Sequence, residues 1–362
     1  MKVALIYGGK SGEHEVSLRS AASVAARLSP EHRIVPIGVT QAGAWILQPD
    51  SVVEDVRAGA ELMELREQGP ELLIAPGRGL RAYSSHGASQ MTVDLAFPVL
   101  HGSFGEDGTV QGLLECAGIA YVGADVLGSA LGMDKEFAKR LWMGRGLPVV
   151  PFMTIQASDK ARLAELRDEA AGRFGWPLFV KPARTGSSVG AAKVSGPSQW
   201  DALVADAFRY DTKVLVEPFM HARELECSVI GNALPRAFEP GEIAPSHEFY
   251  DYEAKYIDPD GAKLFIPAPV ERELLDRVKA VAAEAYAALG LVGMARVDFF
   301  MDVNDGKLYL NEVNTIPGFT SISMFPKMCE AGGLSYPALL DELMRLALER
   351  HAEREAILYR RA

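Results

Sequence analysis

The stretch from Arg296 to Asn314 constrains this chain more than any other. Apolar and polar residues alternate on either side of Asn304-Asp305-Gly306, which is the pattern of two antiparallel strands joined by a tight turn. With the turn centred on Asp305, Asp298 falls opposite Glu312 and Arg296 opposite Asn314. The two-residue period of a strand then turns these four side chains to one face and Val297, Phe299 and Val313 to the other. Two carboxylates and an amide oxygen are hard donors of the kind Mg²⁺ accepts beside water and phosphate oxygens, and a guanidinium next to them suits a phosphoryl group. On its own the same string also describes a surface hairpin with ion pairs of little energetic weight.

At 362 residues the chain exceeds one ordinary core, so two or three domains are expected. Hydrophobic residues at 48% and charged residues at 23% match a globular protein rather than a disordered or membrane one. A net charge of -11 argues against a broad nucleic-acid interface, although a nucleotide needs only a few local lysines. The apolar run Val3 to Tyr7 stops at Gly8, too short for a secretory leader, and no later segment could span a bilayer. A cytoplasmic protein without a membrane partner is predicted. Cys116, Cys227 and Cys329 lie far apart and lack zinc-ligand spacing, so they are expected to pack as small apolar residues.

Val3 to Tyr7, the loop Gly8-Gly9-Lys10-Ser11-Gly12 and the helical period from Glu15 to Leu28 form an α/β opening. Neither GxGxxG nor GxxxxGK[ST] occurs, which counts against a dinucleotide-dependent oxidoreductase and against a Walker A loop. Strands are predicted at Ile34 to Val39 and Leu95 to Leu100, the second leading into His101 to Gly108, with a helix from Val110 to Cys116. Both glycine-rich segments should therefore share one sheet edge. Further on we expect a helix starting near Met133 to Lys139, a helix from Lys160 to Phe174, and strands at Pro177 to Lys181 and Lys213 to Glu217. A helix from Glu271 to Leu289 and another from Tyr336 close the list of regular elements. The long Pro-, Tyr- and Asp-rich loop from Pro245 to Phe265 has the character of an active-site lid.

Lys181 ends a predicted strand and precedes a loop whose Gly186 and Gly190 permit close backbone approach, a plausible phosphate clamp to which Lys135 adds a second cation. At Leu215 to Met220 a planar base can lie against Phe219 while Glu217 takes its hydrogen bonds and Glu224 reaches a ribose hydroxyl. Each of these strings, taken alone, also describes an ordinary turn or strand end.

Together they are specific. Gly12 to Ser17, His101 to Gly112, Met133-Asp-Lys135, Lys181 to Gly190, Lys255-Tyr256 and Asn311 to Ser321 occur in the order seen in D-alanine:D-alanine ligases of the ATP-grasp fold, and this chain resembles that family over essentially its whole length. The resemblance implies an N-terminal Rossmann-like α/β domain (1–130, first D-alanine site), a central ATP-grasp domain (131–223) and a C-terminal ATP-grasp domain (224–362) with the metal site and lid. It implies ATP and two Mg²⁺ ions, with Mn²⁺ as a substitute, a homodimer, and ligation of two D-alanines through an acyl phosphate for peptidoglycan precursors.

By motif match, Lys135 and Lys181 hold the α- and β-phosphates, Lys255 approaches the γ-phosphate, and Glu217, Phe219, Met220 and Glu224 surround the nucleoside. Asp298, Glu312 and Asn314 bind metal, while Arg296 and the Gly318 N–H stabilise the oxyanion. Glu13 meets the first D-alanine's ammonium and His101 its carboxylate neighbourhood; Ser323 and the Met324 backbone meet the second carboxylate. Glu13, Ser187 and Tyr256 form a triad tying the N-terminal domain, clamp loop and lid together. Tyr256 after the lid lysine implies an amine acceptor; a ligase using D-lactate or D-serine is the main alternative. A nucleotide-binding regulator without turnover is disfavoured by the presence of Arg296, Asp298 and Glu312. Two positions depart from the family pattern: Pro218 in the adenine hinge, which offers a carbonyl but no N–H, and Phe104 in the His101 loop.

Overall fold

Three sheets follow one another along the chain in the computed structural model, which describes residues 1–84, 87–245 and 262–358. The first comprises β1 (Lys2–Gly8), β2 (Arg33–Val39), β3 (Trp45–Leu47), β4 (Glu71–Ala75), β5 (Gly79–Ser84), β6 (Gly87–Met91) and β7 (Leu95–Val99), in the order β6-β5-β4-β3-β2-β1-β7. β1 runs parallel to both β2 and β7, and the strands from β3 outward add antiparallel. Every residue of β1 after Lys2 is buried, which is why its sequence is a continuous apolar run rather than an alternation. Its helices include α1 (His14–Arg27), α2 (Ser51–Arg57) and α3 (Thr109–Ala117), and the loops before α1 and α3 both leave the carboxyl ends of parallel strands, as expected.

After α4 (Val126–Met133) and α5 (Lys135–Gly144) comes a four-stranded antiparallel sheet in the order β10-β9-β11-β8, made of β8 (Met153–Gln156), β9 (Leu178–Pro182), β10 (Ala192–Val194) and β11 (Lys213–Pro218). Its core holds Val180, Val214, Val216 and Trp200 against α6 (Leu163–Phe174) and α7 (Pro197–Ala207). The third sheet runs β15-β14-β12-β16-β17, with a side strand on β12. These are β12 (Ala222–Ile230), β13 (Arg236–Ala237, the side strand), β14 (Gly241–Pro245), β15 (Ala262–Phe265), β16 (Met294–Asp302) and β17 (Leu308–Asn314). One face packs on α8 (Arg272–Ala288) and on Trp142 of α5, whose indole N–H donates to Ala285 O at 3.0 Å.

The last two helices, α9 (Met324–Ala331) and α10 (Tyr336–Glu355), return to the first sheet: Leu339, Leu340 and Leu343 share a core with Val3, Leu5, Tyr7 and Phe97. Phe319 is the centre of this joint, edge-on to Phe97, Phe325 and Tyr336 at 5.8, 5.5 and 6.2 Å. Truncating a buried phenylalanine of this kind costs about 3–5 kcal/mol. The segment that follows β17 is thereby fixed across the carboxyl edge of the first sheet. Among the described residues no helix is long and apolar enough to cross a membrane.

Candidate active site

The hairpin pairs as its sequence demands, with Arg296 opposite Asn314 and Asp298 opposite Glu312, and Val297, Phe299 and Val313 are buried on the far face. Strict alternation breaks at one place. The register shifts between Asp298 and Phe299, so that Phe299 pairs with Leu310 and Asn311 is the extra residue on β17. A bulge of this sort re-aims side chains, and here Asn311 and Glu312 both reach the cleft: Lys181 Nζ donates to Asn311 Oδ1 at 3.0 Å, and Lys135 Nζ lies 3.1 Å from Glu312. Arg296 donates through Nε and Nη2 to the two oxygens of Asp298, both at 2.7 Å, and its Nε lies 3.1 Å from Glu226. Asn314 Nδ2 donates to Asp298 at 2.8 Å. Burial alone would lower the Arg296 pKa, but Asp298 and Glu226 outweigh it and hold the guanidinium well above its usual value.

Facing the hairpin is a lysine cluster. Lys181 ends β9 and Lys135 opens α5; both are buried, and Lys135 donates to Thr185 O at 2.7 Å. Glu217 does not stand open for a nucleoside as the sequence suggested. Its two oxygens lie 2.5 Å from Lys139 and 2.9 Å from Lys181. Burial would raise the Glu217 pKa, but these two ammonium groups overcome it and keep the carboxyl ionised below the usual range. The side chain is a counter-ion, so any contact it makes with a nucleoside falls to its backbone. Phe219 and Met220 are half-buried just past the end of this strand, with Lys193 Nζ 4.3 Å from the Phe219 ring centre, and Glu224 lies on the next strand opposite Phe300.

At the edge of the first sheet, Ser187 donates to Glu13, joining the clamp loop to the start of α1. Ser187 and Ser188 both hold positive φ, 51° and 57°, a strained conformation that persists where surroundings over-determine it. Gly102 and Gly186 make room for the carboxylate: a Cβ on either would sit 2.6 or 3.0 Å from Glu13 Oε2.

His101 is more enclosed than expected. Its Nδ1 donates to Ile316 O at 2.9 Å, and its Nε2 pairs with Ser20 Oγ at 3.0 Å. Burial holds its pKa below the ordinary value. With both ring nitrogens engaged, His101 fastens the first sheet to the segment after β17 and has no nitrogen directed at a substrate carboxylate. Glu106, absent from the predicted site, accepts from Gly102 N and Ile316 N, both at 2.8 Å, and burial together with Glu13 pushes its pKa up to about 8.

Ser323 Oγ accepts from Thr320 N at 3.0 Å and stands where a Cβ on Gly318 would meet it at 2.6 Å, so the two predicted substrate-facing positions adjoin. Met324 opens α9 and buries its side chain against Ile243 and Met328, leaving only its backbone for the site. Lys255 and Tyr256 lie outside the described residues.

Reading the sequence missed Asn311, Lys139, Glu226 and Glu106. Lys139 carried a signal, one helical turn after Lys135. Glu106 sat inside a motif already singled out. Glu226 becomes visible only once β12 is paired with β16, where it lies opposite Asp298.

Two antiparallel sheets that face a common cleft with lysines on one and carboxylates on the other define an ATP-grasp protein. Residues 2–124 match the D-ala D-ala ligase N-terminus family model and residues 141–345 the C-terminus model. The chain belongs to the D-alanine–D-alanine ligase family. It is 46% identical over 359 residues to the D-alanine–D-alanine ligase of Treponema denticola, covering 97% of this chain and 96% of that one. Among solved structures it resembles the D-alanine–D-alanine ligase of Coxiella burnetii, with a TM-score of 0.81 at 34% identity over 98% of this chain and 97% of that one. It also resembles the VanG D-Ala:D-Ser ligase of Enterococcus faecalis, with a TM-score of 0.82 at 37% identity over 96% and 99%.

Proposed function

We infer that this chain is an ATP-dependent ligase that joins two D-alanines into D-alanyl-D-alanine for peptidoglycan precursors, working in the cytoplasm. The observation that carries the reading is the facing of Lys135 and Lys181 with Arg296, Asp298, Glu312 and Asn314 across one cleft. Lys135 and Lys181 hold the nucleotide's phosphates, and Phe219, Met220, Glu224 and the backbone of Glu217 enclose its base and ribose. Lys255 reaches the γ-phosphate, and Tyr256 completes the Glu13–Ser187 clasp. Among the described residues no three His, Cys, Asp or Glu side chains converge to form a metal cage. The donor set of Asp298, Glu312 and Asn314 nevertheless fits Mg²⁺, which takes one or two carboxylates and completes its shell with water and phosphate oxygens. Bound there, the metal offsets the charge of the phosphates.

A carboxylate oxygen of the first D-alanine, oriented by Glu13 at its ammonium, attacks the γ-phosphorus; the bond to ADP breaks and an acyl phosphate forms. The amine of the second D-alanine, held by Ser323 and the Met324 backbone at its carboxylate, gives up a proton and attacks the acyl carbon. Arg296 and the Gly318 N–H receive the resulting oxyanion, and phosphate leaves as the peptide bond closes. His101 acts by fixing the loop that carries the first substrate.

A three-part division is supported by the succession of sheets, with α10 completing the first core, although residues 130 and 223 fall inside α4 and β12. A homodimer is supported by large apolar side chains, Leu113, Leu127, Phe137 and Leu141, exposed on the consecutive helices α3, α4 and α5. Likeness to a D-Ala:D-Ser ligase keeps D-serine as the rival acceptor. Purified protein given ATP, Mg²⁺ and D-alanine should release ADP and phosphate and yield a product with the mass of the dipeptide. D-serine and D-lactate, offered in competition, should be used less. Absence of D-alanine-stimulated ADP release overturns the activity, and preferential use of D-serine overturns the acceptor.

A further inference from the structure

Lys139 is fully buried on α5, one turn beyond Lys135, and touches no part of the cleft's open surface. Burying an ammonium group is expensive, and an apolar residue of similar length would fill the space at lower cost. The structure holds it with the Glu217 oxygen at 2.5 Å, the Val150 carbonyl at 3.2 Å and the face of the Phe152 ring at 5.6 Å. Glu217 is thus shared: one oxygen serves Lys139 and the other serves Lys181 at 2.9 Å. Two ammonium groups and one carboxylate leave this buried cluster with a net charge of +1. Without Lys139, Lys181 and Glu217 would form a private, neutral pair, and a phosphate would have to compete with that carboxylate for the lysine.

We propose that Lys139 is a positioning residue for nucleotide binding: by claiming half of Glu217 it keeps Lys181 cationic toward the phosphates, with Asn311 fixing the direction of the Lys181 ammonium. This rests on the reading above that Lys181 binds phosphate. The charged groups around Lys139 are Glu217 on β11, Lys181 on β9 and Glu312 on β17, with Arg140 of its own helix 5.8 Å from the centre of the Phe152 ring. Burial brings the Lys139 pKa down to about 8, with Glu217 opposing the fall, so the cluster loses its surplus charge as pH rises through that value.

The test compares Lys139→Met, Lys139→Met/Glu217→Gln and Lys181→Met by nucleotide titration and steady-state kinetics. Lys139→Met should raise KM for ATP about tenfold, the scale of one lost charge-assisted contact, and leave KM for D-alanine unchanged. The double variant restores the +1 charge through Lys181 alone and should recover most of the ATP affinity. A folded Lys139→Met with unchanged ATP affinity, while Lys181→Met loses it, overturns this inference and spares the phosphate reading. If Lys181→Met also binds ATP normally, both fall. A uniform loss in every kinetic constant, with no recovery in the double variant, marks a packing role and overturns it as well. Should Lys139→Met fail to fold, the wild type decides: its ATP affinity should weaken as pH rises through about 8, and a flat profile contradicts the proposal.

Discussion

The two walls of the cleft are built from the same kinds of groups in opposite proportion. On the central sheet one carboxylate, Glu217, is divided between two cations, Lys139 and Lys181. On the C-terminal sheet one cation, Arg296, is divided between two carboxylates, Asp298 and Glu226. Among these three residues cations outnumber carboxylates on the first wall, and carboxylates outnumber cations on the second. A ligand that is itself both anionic and metal-bearing satisfies both walls at once, and a magnesium nucleotide has that character. Under the proposed function the asymmetry also separates two tasks: the lysine wall would position phosphate, while the hairpin wall would supply metal oxygens and a guanidinium for charge that develops during reaction.

The sharpest way to break this contrast is Arg296→Met. It takes the shared guanidinium from Asp298 and Glu226 and removes the group assigned to the oxyanion; kcat should fall by about 10²–10³-fold in an ADP-release assay. A loss confined to KM for ATP would place Arg296 with the phosphate wall instead. Asp298→Asn removes one carboxylate from the hairpin wall and leaves Glu226 and Glu312. Its half-saturating Mg²⁺ concentration should rise about 10–100-fold, the usual cost of disturbing a metal ligand or its support, and an unchanged metal requirement would remove Asp298 from the metal site.

Ser187→Ala leaves both walls intact and cuts the link to Glu13. A single hydrogen bond to a charged group contributes about 1.5–3 kcal/mol, so the apparent affinity for D-alanine should fall about tenfold while ATP binding stays as it was. Glu106→Gln tests the joint behind both walls and should affect turnover least. The Glu106 pKa rises from 4.5 to about 8 on folding. Between those values the folded protein retains a proton that the unfolded chain releases, so stability falls as pH rises across that window. Urea denaturation at each end of the window should show this decline in the wild type and a shallower one in Glu106→Gln; parallel curves would mean Glu106 is ionised throughout.

How much of this was legible in the sequence follows from how local each feature is. The parallel strands β1, β2 and β7 announce themselves as apolar runs, and the hairpin shows itself by its turn, although Met301 pairs with Leu308 and only the extra Asn311 brings Asp298 opposite Glu312. The antiparallel extension from β3 to β6 did not, because its strands are short and only partly buried, with little periodicity to read. Nor did the return of α10 to the first core, which joins residues more than three hundred positions apart. Within the site, the residues carried by motifs come together at one cleft, whereas the side chains of Glu217 and His101, given outward roles, hold internal partners. Their surroundings are made by other strands, and a sequence shows the side chain but not what reaches it from across a sheet. Asn311 was lost for a smaller reason: one bulge reverses the facing that strict alternation assigns.

Under the proposed function phosphate meets the lysine wall and metal meets the hairpin wall. A crystal structure with ADP and Mn²⁺, whose anomalous signal marks the metal, tests this most directly. Manganese should appear between Asp298, Glu312, Asn314 and the nucleotide's phosphate oxygens, with the Lys181 ammonium hydrogen-bonded to phosphate and Glu217 still shared with Lys139. Manganese bound away from the hairpin, or phosphates out of reach of Lys181, would contradict it.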